Sequence, residues 1–375
     1  MKILFVCENY IPHYGGAEVV FKNLAEGFVK RGHNVVLITQ LLKNTKKFEI
    51  LNGVKIYRIN SFGSRYLFSF FSIPKILKFA KGSDVLQTTS FNGAPPAWIA
   101  GLLRGKKVII TVHELWIGKW ASVTNFSKWK AWIHDILERM IYALPFDKYV
   151  CVSNSTKNDL LKFGVKENKV EMVYNGMEYE FWDPKKYTKN NDIRKRFDLQ
   201  EKFVYFAWGR PGPSKGHEYL IKSVQLIKEQ IPNSKLVLML STSPQYKQKY
   251  DQLLQLIDDL GLQNDIMVIP PVKHLELAKY LVAFDCAVVP SIAEGFGFNC
   301  AEAMTMGIPV VTSDAGSLPE IVSGKHLVFK SKNIVDLAKK VVKISKKEWD
   351  ETSLKRFEWS EGVSRYLEIY EGLMK

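Results

Sequence analysis

One rhythm runs the length of the chain. A short run of Ile, Leu, Val and Phe gives way to a turn marked by glycine or proline. An amphipathic stretch follows, and then another apolar run. Apolar runs without alternation suit strands covered on both faces, and strands separated by helices pair in parallel. The first pass through this rhythm is complete enough to read. Residues 3–6 are a buried strand. Gly15 and Gly16 close its exit loop, a helix carries Val19, Val20, Leu24 and Phe28 on one face, and Gly32 follows its end. Residues 35–39 are the next strand. Strand, glycine turn, helix and strand make the opening unit of a doubly wound sheet. The glycines do not fit Gly-x-Gly-x-x-Gly, so the ordinary dinucleotide fingerprint is absent. Gly15 and Gly16 would let the loop lie against a ligand phosphate; a plain strand-to-helix turn is the competing reading.

The same plan predicts strands at 54–59, 84–88, 108–112, 149–153 and 170–173, then a polar linker at 179–195. It resumes with strands at 203–208, 235–240, 266–269, 287–289 and 308–312, and a helix at 275–283. A chain of 375 residues has room for two such domains. The expected fold class is α/β, with domains at 1–177 and 178–358 and a closing helix at 359–375.

Chemistry concentrates after the strand at 287–289. Glu294, Gly295, Phe296, Gly297, Phe298 and Glu302 span a glycine-punctuated turn and the start of a helix. Gly295 and Gly297 let the backbone approach a ligand, and the amides at a helix start are unpaired and partly positive, which suits phosphate. Ionised carboxylates only accept hydrogen bonds, which suits hydroxyl groups. Phosphate and hydroxyls together describe a nucleotide sugar. In a second Gly/Pro-rich exit loop, Arg210 and Lys215 stand five apart and would neutralise a departing diphosphate, where charge grows in the transition state. His113 stands just past the strand at 108–112, where such sheets hold their ligands; a core or capping histidine is the alternative.

Charge is unevenly placed. The net charge is +15, of which residues 1–175, with 25 Lys and Arg against 12 Asp and Glu, contribute +13. Anionic lipid, nucleic acid or an acidic substrate would match that half. Residues 65–81 mix Tyr66, Phe68, Phe70 and Phe71 with Lys75, Lys78 and Lys81. Residues 116–132 hold four of the nine tryptophans among Lys119, Lys128 and Lys130. Such mixtures suit a membrane interface, or are amphipathic helices packed on the sheet. A nucleic-acid binder would instead need its charge along a groove-fitting element, so no nucleic-acid partner is expected. No apolar run reaches the length of a membrane span, and the first strand is too short for a signal peptide. The four cysteines form no Cys-x-x-Cys pair and read as small buried residues of a reducing compartment. A cytoplasmic protein, peripheral at the inner face of the cell membrane, is expected.

With Gly15-Gly16, His113, Arg210, Lys215, Glu294 and Glu302 in this order, the chain resembles the retaining GT-B glycosyltransferases of family four, the glycosyltransferases group 1. The likeness spans nearly the whole chain. It is strongest from Gly209 to Glu320, and residues 356–370 are similar to the family's closing segment. The resemblance implies two Rossmann-like domains facing a cleft, the first for the acceptor and the second for the nucleotide sugar donor. It implies that Arg210 and Lys215 hold the diphosphate, that Glu294 contacts sugar hydroxyls, and that the amides of Gly295, Phe296, Gly297 and Phe298 surround sugar and phosphate. Glu302 would take the ribose hydroxyls, Gly16 would approach the diphosphate, and His113 would lie near the reacting carbon. No cofactor or metal is implied, and attack comes from the front side, with the departing phosphate accepting the acceptor's proton. Pro270-Pro271 departs from the family pattern near the base, and Lys325-His326 replaces a usual small-residue turn. The expected activity is transfer of a hexosyl unit to a lipid-linked or membrane-associated glycan acceptor in cell-surface polysaccharide or glycolipid synthesis. A sugar-nucleotide epimerase or a phosphorylase of the same fold is the alternative.

Overall fold

The computed structural model describes residues 1–13, 15–187 and 191–375, apart from the side chains of Asn191 and Leu275. The chain forms two compact units. The first comprises Met1–Ile117, Ile133–Gly176 and Phe357–Lys375; the second comprises Gly118–Trp132 and Met177–Arg356.

Unit 1 carries eight strands: β1 (Lys2–Val6), β2 (Asn34–Gln40), β3 (Phe48–Leu51), β4 (Val54–Ile59), β5 (Val85–Thr89), β6 (Lys107–Val112), β7 (Lys148–Cys151) and β8 (Val170–Met172). They lie in the order β3-β4-β2-β1-β5-β6-β7-β8. All neighbours are parallel except the β3–β4 pair. Sequence reasoning missed β3, whose side chains are largely exposed and give no buried run. The helix Ala94–Arg104 and the strands enclose a core of Leu4, Val6, Leu86, Ile110 and Phe146. The last helix, Trp359–Met374, packs on the first, Gly16–Lys30, so closely that a Cβ on Gly27 would lie 2.5 Å from Val363. Buried Tyr370 donates to Gln87 Oε1 at 2.9 Å, and Tyr366 shares a 2.8 Å hydrogen bond with Thr111. The chain's end is thereby part of unit 1.

Unit 2 carries seven strands: β9 (Phe203–Gly209), β10 (Ser234–Leu240), β11 (Ile266–Ile269), β12 (Cys286–Val289), β13 (Val310–Ser313), β14 (Lys325–Phe329) and β15 (Asp350–Glu351). Their order is β11-β10-β9-β12-β13-β14-β15, parallel except for β15 against β14.

Lys325 and His326 open β14 and pair with β15. Two expectations need correction. The stretch 179–195 is more than a linker, and its residues 188–190 lie outside the described residues. Buried Arg194, in the helix Asn191–Arg196, donates to the main-chain oxygens of Ala283, Leu199 and Lys202 and to the Asp285 carboxylate. The segment Gly118–Trp132, expected with the first domain, groups with unit 2, where the short helix Trp120–Val123 packs against the turn Pro213–Lys215.

Candidate active site

In unit 2 the site grows out of three strand exits. β9 ends at Gly209 and releases the chain through Arg210 into a single 3₁₀ turn, Pro213–Lys215. Gly216 closes that turn at a φ of 65°, and a Cβ there would sit 2.0 Å from the Pro290 oxygen. Only glycine lets the turn press against the exit of β12. The main chain then locks the two loops together, with the Ile292 and Ala293 amides donating to the Ser214 oxygen at 2.7 and 3.4 Å. The result is an ion pair: Lys215 Nζ lies 2.7 Å from Glu294 Oε2, with the two side chains 15% and 12% exposed. Ser291 Oγ donates to the same carboxylate oxygen at 3.0 Å. The third loop, after β13, holds Glu294 from behind. Ser317 donates to the Glu294 main-chain oxygen through its amide at 3.1 Å and its hydroxyl at 3.2 Å.

Beyond Glu294, Gly297 at a φ of 92° turns the chain into the helix Phe298–Thr305, which has no side-chain cap. Its first amides have no partners within the helix and carry the positive end of its dipole. Glu302 lies in this helix and accepts from Trp208 Nε1 at 3.1 Å. Asn299 Nδ2 donates to the Trp208 oxygen at 2.6 Å, tying helix to strand exit. Burial pushes the Glu302 carboxyl up to about 8, against the opposing pull of the Trp208 hydrogen bond and the Lys215 charge. A ligand-free Glu302 is therefore mostly protonated at pH 7. Arg210 is exposed and reaches the Tyr246 hydroxyl at 3.5 Å. The structure thus gathers Lys215, Glu294, Gly295, Phe296, Gly297, Phe298 and Glu302 on adjoining loops and one helix start. Arg210 stands at the head of the same exit loop as Lys215.

Gly15, Gly16 and His113 belong to unit 1. Gly15 is the extended N-cap of the helix Gly16–Lys30, which has no side-chain cap. Glu18 in its first turn is 3.2 Å from His13 Nδ1. Burial works to raise the Glu18 carboxyl, but the His13 hydrogen bond and the nearby histidines bring it below the ordinary value. His113 follows β6. Its Nε2 is enclosed and has no hydrogen-bond partner among the described residues. Burial lowers its pKa to about 4, with Glu18 opposing, so the ring is neutral at pH 7.

Sequence reasoning missed Trp208, Ser291, Asn299 and Ser317. Trp208 carried a signal: an indole at a strand's end needs a hydrogen-bond partner once buried. The other three are small polar residues whose role exists only when the loops meet.

Known proteins agree with this architecture. The model for glycosyl transferases group 1 matches residues 189–361, and that for Glycosyltransferase Family 4 matches residues 14–181. An uncharacterized glycosyltransferase of Methanocaldococcus jannaschii is 31% identical over 88% of this chain and 84% of its own length. The phosphatidylinositol N-acetylglucosaminyltransferase GPI3 subunit of Saccharomyces cerevisiae is 23% identical over 99% of this chain and 83% of its own. Among solved structures, Anabaena Alr3699/HepE in complex with UDP and glucose superposes with a TM-score of 0.75 at 18% identity, over 99% of this chain and 100% of that one. Sucrose-phosphate synthase from Thermosynechococcus elongatus gives 0.76 at 18% identity, over 99% and 98%. The chain belongs to the group 1 glycosyltransferases and has their GT-B fold of two Rossmann-like domains.

Proposed function

We propose that the protein is a retaining hexosyltransferase that takes its sugar from a nucleoside diphosphate donor bound by unit 2. The observation that carries this reading is the partly buried Lys215–Glu294 pair beside an uncapped helix start. A cation and the amides at a helix start suit the diphosphate, the Glu294 carboxylate suits sugar hydroxyls, and the Glu302 carboxyl those of the ribose. Arg210 and Lys215 stabilise the charge that grows as the diphosphate departs, and they act without a metal ion. Glu294 holds sugar hydroxyls and Glu302 those of the ribose, with the amides from Gly295 to Phe298 around the phosphate. By the family resemblance Gly15 and Gly16 are assigned to donor binding and His113, neutral at pH 7, to catalysis. Retention follows from front-side attack, in which the leaving phosphate accepts the acceptor's proton; this part rests on the family resemblance.

The acceptor we propose is a lipid-linked or membrane-associated glycan, with the protein peripheral at the cytoplasmic face of the cell membrane and with no nucleic-acid partner. Supporting this are the positive charge of the first half and large apolar side chains in the open: Phe62 is 77% exposed, Phe70 67% and Trp129 66%. Among the described residues no helix is long and apolar enough to cross a membrane.

A thermal-shift screen of UDP-, GDP- and ADP-sugars tests the donor. Stabilisation by one of them, lost in Arg210→Ala and Lys215→Ala, is expected; no shift with any donor overturns the reading. Nucleoside diphosphate released only when acceptor is present, unaffected by EDTA and with product of unchanged anomeric configuration, separates transfer from epimerase or phosphorylase chemistry.

A further inference from the structure

Unit 2 holds a buried histidine that the donor chemistry above leaves unused. His217 opens the helix His217–Gln230, directly after Lys215 and Gly216. It is 3% exposed, and both ring nitrogens are enclosed with no hydrogen-bond partner among the described residues. Burial, reinforced by the Lys215 and Lys249 charges, lowers its pKa to about 4, so the ring is neutral at pH 7. A neutral imidazole carries one N–H donor and one acceptor nitrogen. Leaving both unsatisfied in the interior is costly, and such groups call for an explanation.

The loop beside it supplies one. This loop, from Gly209 to Gly216, is pinned at both ends. The Ser241 amide donates to the Gly209 oxygen at 3.0 Å, and Gly216 is pressed against the Pro290 oxygen. Between them Arg210 has an exposed side chain whose Nη1 is 3.5 Å from the Tyr246 hydroxyl. The Arg210 main-chain oxygen lies near enough to the His217 ring to favour its protonated form, yet outside hydrogen-bond geometry. A small rotation of that peptide toward the ring would complete the bond. The ring itself is held. His217 begins a helix of 14 residues whose Leu220, Ile221, Val224 and Ile227 are buried in the core. The loop is therefore the part that can adjust, and its Arg210 side chain is the group that a diphosphate would draw.

We propose that His217 is a latch for the donor loop: when a nucleoside diphosphate engages Arg210 and Lys215, the loop settles so that a ring N–H of His217 donates to the Arg210 main-chain oxygen. His217 is then a positioning residue. It touches no substrate and acts through Arg210. The unsatisfied ring disfavours the ligand-free loop, and the bond made on binding adds to the affinity for whatever draws Arg210 into place. This rests on the donor reading above and extends it to how the cationic loop is set.

Titration calorimetry of UDP, GDP and ADP on the full chain tests it, beside thermal melts without nucleotide. His217→Leu keeps most of the ring's bulk and removes both nitrogens. Its nucleotide-free melting temperature should equal or exceed that of wild type, because unsatisfied polar groups are gone. The nucleoside diphosphate that binds wild type should bind it about tenfold more weakly. A histidine with a merely structural role would instead lose stability and keep affinity. His217→Asn sets an amide nitrogen where Nδ1 stands, and His217→Gln sets one where Nε2 stands. One of these two should stay within about twofold of wild type, and the other should fall with the leucine variant. Wild-type affinity in His217→Leu, or equal affinities in His217→Asn and His217→Gln, overturns the proposal. If His217→Leu fails to fold or melts lower, the comparison of Asn with Gln decides. If none of the three nucleotides binds wild type, the donor reading fails and the latch with it, whereas failure of the latch alone leaves wild-type binding intact.

Discussion

Lys215 and Glu294 come from loops 79 residues apart and meet at 2.7 Å. Neither would be placed so without the backbone around them. Gly216 brings the lysine turn against the exit of β12, and Gly316 brings the loop after β13 against Glu294, where a Cβ would lie 2.2 Å from the Glu294 oxygen. In the proposed reaction the two side chains hold each other until diphosphate takes the lysine and sugar hydroxyls take the carboxylate.

Gly316→Ala is the test of that scaffold. The added methyl clashes with main chain, at a φ of 55° that already disfavours alanine. Loss of about 2 kcal/mol or more of stability is expected, with nucleoside diphosphate binding weakened about tenfold. Gly307→Ala is the control. It too has a positive φ, of 72°, but meets nothing within 4 Å, so it should cost about 1 kcal/mol and leave binding unchanged. Thermal melts and titration calorimetry on both variants check this.

Glu302 gives a pH signature. Its folded-state pKa of about 8 lies above its unfolded value, so the folded protein holds a proton that the unfolded chain releases. That contribution favours folding at low pH and is lost as pH rises through about 8. Glu302→Gln removes the titration. Its melting temperature relative to wild type should rise between pH 5 and pH 9, by a few degrees, corresponding to about 1–3 kcal/mol. Melts across that range measure it, and parallel curves would count against a raised Glu302.

How much of this was legible beforehand depended on the kind of signal. Strands with continuous or alternating apolar runs announced themselves, as β1, β4 and β11 did. β3 and β15 did not, since exposed edge strands carry no such pattern. Arg210, Lys215 and Glu294 stood out because charged residues in glycine-rich exit loops have few structural uses, and Glu302 because it follows such a loop at the start of a helix. The Lys215–Glu294 pairing was not readable, nor was Trp208 on Glu302, because both depend on which loops adjoin across the sheet order.

The closing helix offers a test confined to unit 1. Tyr370 is fully buried and its hydroxyl donates to Gln87 Oε1, which lies in β5. Tyr370→Phe keeps the ring and strands that oxygen. A loss of about 1–2 kcal/mol is expected in thermal or denaturant unfolding, without change in nucleotide affinity.

Membrane docking is checked by vesicle co-sedimentation. The exposed Phe62 and Phe70 belong to unit 1, and replacing both with serine should weaken binding to anionic vesicles about tenfold. Binding should also fall as salt rises. Equal sedimentation of wild type and variant, or no preference for anionic lipid, would remove the membrane from the account.

The most direct measurement is the affinity of the nucleoside diphosphate for wild type and Lys215→Gln by titration calorimetry. Lys215 is held by Glu294 in the exit loop of β9, so on the proposed reading its loss is expected to weaken binding about 100-fold, or about 2.7 kcal/mol, with the fold intact. Equal affinity in the two proteins would contradict the proposed site.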